Sequence, residues 1–274
     1  MSGDDLIYEY YLNGISSDIS PAEVVGFLVQ CVKNKKPCAL VRFGEGEGRL
    51  LEAKLGDNLS IEVASRKLKR QTGLNFSPLE TLKIKEMVLH ALDKADVVGI
   101  RGDASFNPEH SMWMDRIEKI FERRVLDGRN AVLTAHCFVN YALSAALNDI
   151  LHDQNYVSII SCRDLKDFFE KKYKIKNLAV YKIPSQYIKR KVDGDYEVSL
   201  HSTPIWPDFY EELLGSIKVR EPGEIFLVGA GLFGKELCIR VKNQGGIALD
   251  MGSTLDKMAN KATRDGVPEI LTAR

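Results

Sequence analysis

The sequence carries no net charge, because 38 Lys and Arg residues balance 38 Asp and Glu residues. That balance removes the long-range field by which dedicated nucleic-acid or membrane-surface binders find their partners, so any contact with a polyanion has to be local. Long apolar runs are missing too. The most apolar long segment, residues 131–147, is broken by Thr134, His136, Asn140 and Ser144, and reads as a strand followed by a buried helix rather than a membrane span. Cysteine is scarce and scattered. Cys31, Cys38, Cys137, Cys162 and Cys238 form an odd set without a C-x-x-C pair, which argues against a disulfide framework and a zinc knuckle. The first residues, Met1-Ser2-Gly3-Asp4-Asp5-Leu6, are acidic and lack the basic stretch and apolar core of a secretory signal. Together these absences predict a reducing, cytoplasmic protein. Internal repeats and low-complexity tracts are absent.

What is present is the composition of an ordinary globular chain of 274 residues, 45% hydrophobic and 28% charged. Such a chain buries roughly three quarters of its unfolded surface. We read an N-terminal extension over residues 1–19 and one α/β domain over residues 20–274. Ser20-Pro21-Ala22-Glu23 combines an N-cap hydroxyl, a proline at the first helical position and a glutamate that reaches back, predicting a helix to about Lys33. Ser77-Pro78-Leu79-Glu80 repeats the signal for a helix to about Asp93. Between and beyond them lie short β-prone runs: Cys38 to Phe43, Asp96 to Arg101, Ala131 to Ala135, Tyr156 to Ser161, Leu178 to Ile183, Glu224 to Val228 and Gly246 to Asp250. These are nearly continuous in Val, Ile and Leu rather than alternating, so each strand is expected to be covered on both faces. A doubly wound, mostly parallel, Rossmann-like sheet follows. Residues 184–204 have turn residues and little periodicity, and are either a long functional loop or a seam between two lobes.

In such sheets ligands bind beyond the carboxyl ends of the strands. Those ends read Arg42-Phe43-Gly44-Glu45-Gly46-Glu47-Gly48, Arg101-Gly102-Asp103, His136, Arg163, Gly229-Ala230-Gly231 and Asp250-Met251-Gly252-Ser253. The opposite ends show no comparable set of Arg, His and paired carboxylates. Glu45 and Glu47 stand two apart in a glycine-rich turn, where both can converge on a hard divalent cation, with Arg42 as a fixed positive fork nearby. The same pair also suits an acidic helix start. Gly229-Ala230-Gly231-Leu232-Phe233-Gly234 follows a strand, opens a helix and precedes Asp250 by about 20 residues, which is the dinucleotide fingerprint by spacing. Only one such unit follows it, so we read a phosphate or ribose cradle. His110, His136 and His201 are each open to a structural or a substrate-contact role. The basic runs at residues 66–70, 171–174 and 189–191 read as solvated helix or loop surface.

The segment Val41-Arg42-Phe43-Gly44-Glu45-Gly46-Glu47 resembles the Arg-Phe-Gly-Asp-Gly-Glu segment, with its metal-binding D-x-E motif, of the GT-D-type glycosyltransferases and their GT-D-like relatives, formerly a domain of unknown function. Residues 228–235, residues 245–253, Thr134-Ala135-His136, residues 159–163 and Lys261-Ala262-Thr263-Arg264 extend the likeness from about Ser20 onward. The resemblance implies a GT-D-type α/β fold, a nucleotide-diphosphate sugar donor and a Mn or Mg ion. Glu47 then corresponds to the metal-associated glutamate, and Glu45 stands where the family has aspartate, one methylene longer.

These readings join in a metal-dependent glycosyltransferase that moves a sugar from a nucleotide-diphosphate donor to a hydroxyl acceptor: a glycan, a glycoprotein or a small molecule. Glu45 and Glu47 are the metal candidates. Arg42 and Arg101 balance the leaving-group charge, Arg101, Gly229, Gly231, Gly234, Lys235, Asp250 and Ser253 cradle the donor, and Asp103 or His136 takes the acceptor proton. Two alternatives stand beside it: an NAD(P)-dependent oxidoreductase using the Gly229-Gly231-Gly234 turn, and a non-catalytic binding module on the same fold. No nucleic-acid partner and no membrane span are expected, and the oligomeric state is left open.

Overall fold

The apolar runs become the strands of a single sheet. The structure is a computed structural model that describes residues 11–12, 15–16, 21–100, 132–185, 189–192, 195–198 and 204–261. The sheet has seven strands: β3 (Cys38–Arg42), β4 (Val97–Ile100), β5 (Val132–Ala135), β6 (Tyr156–Ser161), β7 (Asn177–Lys182), β10 (Ile225–Gly229) and β11 (Ile247–Asp250). Their order is β5-β4-β3-β11-β10-β6-β7, and every neighbouring pair is parallel. Two hairpins form separate two-stranded sheets, β1 (Tyr11–Leu12) with β2 (Ile15–Ser16) and β8 (Lys189–Val192) with β9 (Asp195–Val198). The basic run at residues 189–191 is therefore strand, where loop or helix surface was expected. Its register sets Arg190 opposite Glu197. Parts of the 184–204 segment, including His201, lie outside the described residues, as does His110.

Each central strand feeds two apolar layers, which explains the continuous rather than alternating runs. On β3, Ala39 and Val41 join one layer and Cys38 and Leu40 the other; β10 divides Phe226 and Val228 from Ile225 and Leu227 in the same way. The first layer is closed by α2 (Glu45–Leu51), α3 (Asn58–Thr72), α4 (Pro78–Lys94), α7 (Asp208–Ser216) and α8 (Gly234–Asn243). The second is closed by α1 (Pro21–Lys33), α5 (His136–Leu151), α6 (Lys166–Tyr173) and α9 (Thr254–Met258). Leu28, Leu40, Leu50 and Leu68 are completely buried, each contributing about 1.5–3 kcal/mol relative to exposure. Among the described residues no helix is long and apolar enough to cross a membrane.

The helix starts follow the expected local chemistry. At α4 the Glu80 N–H donates to Ser77 Oγ at 3.2 Å and the Ser77 N–H donates to Glu80 Oε2 at 2.8 Å, a reciprocal capping box behind Pro78. The amino ends of the strands carry more charge than expected. Arg220 donates to Glu224, which also accepts from Ser158 Oγ at 2.7 Å, and Lys242 donates to Asp96 at 2.8 Å. These groups satisfy one another and the backbone: Asp96 also accepts the Ala39 N–H, and Arg220 Nη2 donates to the Val157 carbonyl. They fasten connections to the sheet.

The chain leaves β3 toward β4 and β5 on one side, then crosses to β6 and β7 and fills back through β10 and β11 until β11 lies against β3. The reversal between β3 and β11 is the topological switch point, the place beyond the carboxyl ends where sheets of this kind bind ligands.

Candidate functional site at the switch point

Arg42 ends β3 and Asp250 ends β11, so the two meet across the switch point although 208 residues separate them. The Arg42 N–H donates to Asp250 Oδ2 at 3.1 Å and Arg42 Nη2 donates to Oδ1 at 3.1 Å. Lys235, in the first turn of α8, donates from Nζ to Asp250 Oδ2 at 2.8 Å, and the same Nζ lies 3.6 Å from Glu47 Oε1. The Phe43 ring closes one side of that ammonium at 6.0 Å. Relative exposures are 1% for Asp250, 5% for Lys235, 8% for Glu47 and 9% for Arg42. Among the described residues two acids and two bases are thus buried together, the kind of pairing under which charges are tolerated inside a protein. At an effective dielectric of about 20, the Lys235–Asp250 pair has a gross attraction of ~6 kcal/mol. Burial opposes ionisation of Asp250, but the charges of Lys235 and Arg42 and their hydrogen bonds outweigh it and hold its pKa down to about 2.

Glu47 occupies the third position of α2, and its Oε2 accepts the Gly44 N–H at 3.0 Å. One of its oxygens therefore serves the helix start, as the second reading of the acidic turn anticipated. Glu45 opens α2; its side chain lies outside the described residues.

The glycine turn between β10 and α8 has three positions with three separate reasons. A Cβ at Gly229 would meet Leu255 Cδ1 at 2.8 Å and the Gly252 carbonyl at 3.3 Å; one at Gly234 would meet Val228 Cγ1 at 3.2 Å. Gly231 has φ +52° and begins a 3-10 turn, Gly231–Phe233, ahead of α8. Gly229 and Gly234 thus yield room to the chain itself. Ser253 precedes α9 without a side-chain capping bond, and the neighbouring Thr254 Oγ1 is buried with no hydrogen-bond partner among the described residues. On the far side of β10, Arg163 Nε donates to Asp256 Oδ1 at 2.8 Å.

The structure brings Arg42, Glu47, Lys235 and Asp250 into one network beside Gly229, Gly231, Gly234 and Ser253. Arg101 and Asp103 lie outside the described residues, and His136 begins α5 directly after β5, its side chain outside them. One contributor escaped the sequence reading. Gly252 has φ +48°, and a Cβ there would overlap the Arg42 guanidinium. The only local signal was a lone glycine two residues after Asp250.

The expected divalent ion meets an obstacle in the described donors. Both Asp250 oxygens accept from Arg42, and one of them also accepts from Lys235; one Glu47 oxygen accepts from Gly44 and the other faces Lys235. Among the described residues no group of three or more His, Cys, Asp or Glu side chains is gathered as for a metal ion. As described, Glu47 and Asp250 do not fit a divalent cation between them, because the Lys235 ammonium stands there; the Glu45 side chain, the other expected ligand, lies outside the described residues.

Comparison with known proteins bears on the fold. A glycosyltransferase of the domain of unknown function 1792 from Streptococcus sanguinis superposes with a TM-score of 0.52 and 12% identity, over 91% of this chain and 92% of that one. A second solved structure, of the conserved domain of unknown function 1792 with a distinct glycosyltransferase fold, gives 0.48 and 13% over 91% and 89%. No curated protein matches the chain. The GT-D fold-like domain model matches residues 19–191, from the start of α1 through β3 and the Arg42 to Glu47 segment to β8, leaving Lys235 and Asp250 beyond it. Spanning more than half of the sequence, that match shows that the chain belongs to the GT-D fold-like domain family.

Proposed function

We propose that this chain transfers a sugar from a nucleotide-diphosphate donor to a hydroxyl acceptor. The observation that carries the reading is the convergence of two buried cations, Arg42 and Lys235, beside the glycine turn at the switch point of the sheet. When a glycosyl group transfers, negative charge builds on the departing diphosphate, and cations already oriented toward it lower the barrier. Asp250 holds both cations before any ligand arrives, so little reorganisation is left for the reaction itself. Family membership and the glycosyltransferase described from Streptococcus sanguinis support the same reaction class.

Within this reading Gly231, Lys235, Ser253 and Arg101 serve the donor, and Arg42 and Lys235 meet the leaving-group charge. Asp103 or His136 takes the acceptor proton, by their chain positions just after β4 and β5. The nicotinamide reading needs Asp250 to accept a ribose hydroxyl, and its oxygens already accept from Arg42 and Lys235.

The test is calorimetric titration of a panel of nucleotide-diphosphate sugars, the corresponding nucleoside diphosphates and the bare nucleosides, with donor hydrolysis followed in parallel. Binding that needs the diphosphate, together with slow donor hydrolysis, is expected. Failure of every nucleotide sugar to bind at millimolar concentration sinks the reading, and binding without any turnover leaves a non-catalytic module.

A further inference from the structure

Glu47 and Asp250 are the two described carboxylates of the crevice, and the group between them is an ammonium. Lys235 Nζ stands 2.8 Å from Asp250 Oδ2 and 3.6 Å from Glu47 Oε1, inside a wall where all three side chains are at least nine-tenths buried. A divalent ion shared by these carboxylates would sit roughly 2.0–2.6 Å from each oxygen, in the space the ammonium fills. Both carboxylates already accept hydrogen bonds: Arg42 donates to both oxygens of Asp250, and Gly44 donates to the other oxygen of Glu47. A divalent ion there would also stand against the Lys235 ammonium and beside the Arg42 guanidinium, like charges that repel it.

We propose that Lys235 is the resident cation of this site: the Glu47–Asp250 pair binds no divalent metal, and the ammonium supplies the positive charge that the diphosphate of a donor needs. A lysine ammonium has three N–H donors. One goes to Asp250 and one points toward Glu47, which leaves the third for a phosphate oxygen. The second half of this assignment rests on the proposed donor chemistry; the first half does not.

The experiment titrates Mn2+ alone into the metal-stripped full chain, with the free ion read by electron paramagnetic resonance, for the native protein and for Glu47→Gln. Nucleoside diphosphate is then titrated by calorimetry with Mn2+ and with EDTA. The native protein is expected to show no saturable Mn2+ binding that depends on Glu47, and a diphosphate affinity that changes less than tenfold when EDTA replaces Mn2+. Lys235→Met, which frees both carboxylates, is expected to gain saturable Mn2+ binding, while Lys235→Arg is not. If Lys235→Met does not fold, the native measurements decide alone. Stoichiometric Mn2+ binding by the native protein that disappears in Glu47→Gln overturns the assignment, as does a tenfold or greater loss of diphosphate affinity in EDTA. Mn2+ binding that survives in Glu47→Gln lies elsewhere and leaves the assignment standing. If no nucleoside diphosphate binds under either condition, the donor reading fails while the Mn2+ titration still decides whether the pair holds a metal.

Discussion

Replacing Asp250 by Asn tests the central network most directly. The change keeps volume and removes the one charge that both cations share. Two magnitudes bear on the outcome. The gross attraction to Lys235 is ~6 kcal/mol at an effective dielectric of about 20, but most of it offsets the desolvation of buried ions. The net effect is read from the carboxyl pKa, held at about 2 against an ordinary 3.8, which corresponds to about 2 kcal/mol. Because the folded value is the lower one, this contribution is present above pH ~4 and is lost as the pH falls toward ~2. Asp250→Asn also takes from the buried Arg42 and Lys235 the carboxylate they share, so at neutral pH the loss should reach about 3–5 kcal/mol. Urea unfolding of both proteins at pH ~7 and pH ~3 checks this. The gap between them should be widest at neutral pH and narrow on acidification. A variant as stable as the native protein at neutral pH, or a gap that does not change with pH, refutes the reasoning.

Three further outcomes are expected. Gly252→Ala forces a side chain into a left-handed backbone and onto the Arg42 guanidinium; with about 1–3 kcal/mol of backbone strain alone, the melting temperature should drop by about 3 °C or more by scanning fluorimetry. Ser77→Ala removes the oxygen that caps α4 and should cost about 0.5–2 kcal/mol in denaturant unfolding without changing ligand binding. The Glu236 carboxyl is raised above its ordinary value by burial, against the opposing pull of the His90 contact at 2.7 Å. Its stability contribution is therefore present at low pH and lost as the pH rises through the folded value, so Glu236→Gln should gain on the native protein as the pH rises above the ordinary carboxylate range in the same unfolding assay.

The strands were legible because strands buried on both faces write themselves as continuous apolar runs. Tyr156–Ser161 coincides with its run, and the Cys38 to Phe43 run differs from β3 only in its last residue. The serine-proline starts located α1 and α4 for an equally local reason. The order of the strands was not legible, since nothing in Gly246 to Asp250 states that it inserts between β3 and β10. The partnership of Lys235 with Glu47 was hidden likewise: beside a glycine turn, a lysine reads as a phosphate ligand, and only the β3–β11 contact brings the two acids to either side of it. The ion pair of Arg220 with the buried Glu224 was not legible either, because a four-residue spacing carries no mark of which partner the fold buries.

The placement of β11 has a consequence for biogenesis. The sheet receives this central strand after both of its partners, the distant β3 and the neighbouring β10, have been made. A growing polypeptide that has not yet released residue 250 from the ribosome holds two half-sheets with unpaired inner edges, and its Arg42 still lacks Asp250. The same insertion seals the exposed edges and assembles the charged quartet, so the quartet cannot form on an unfinished sheet.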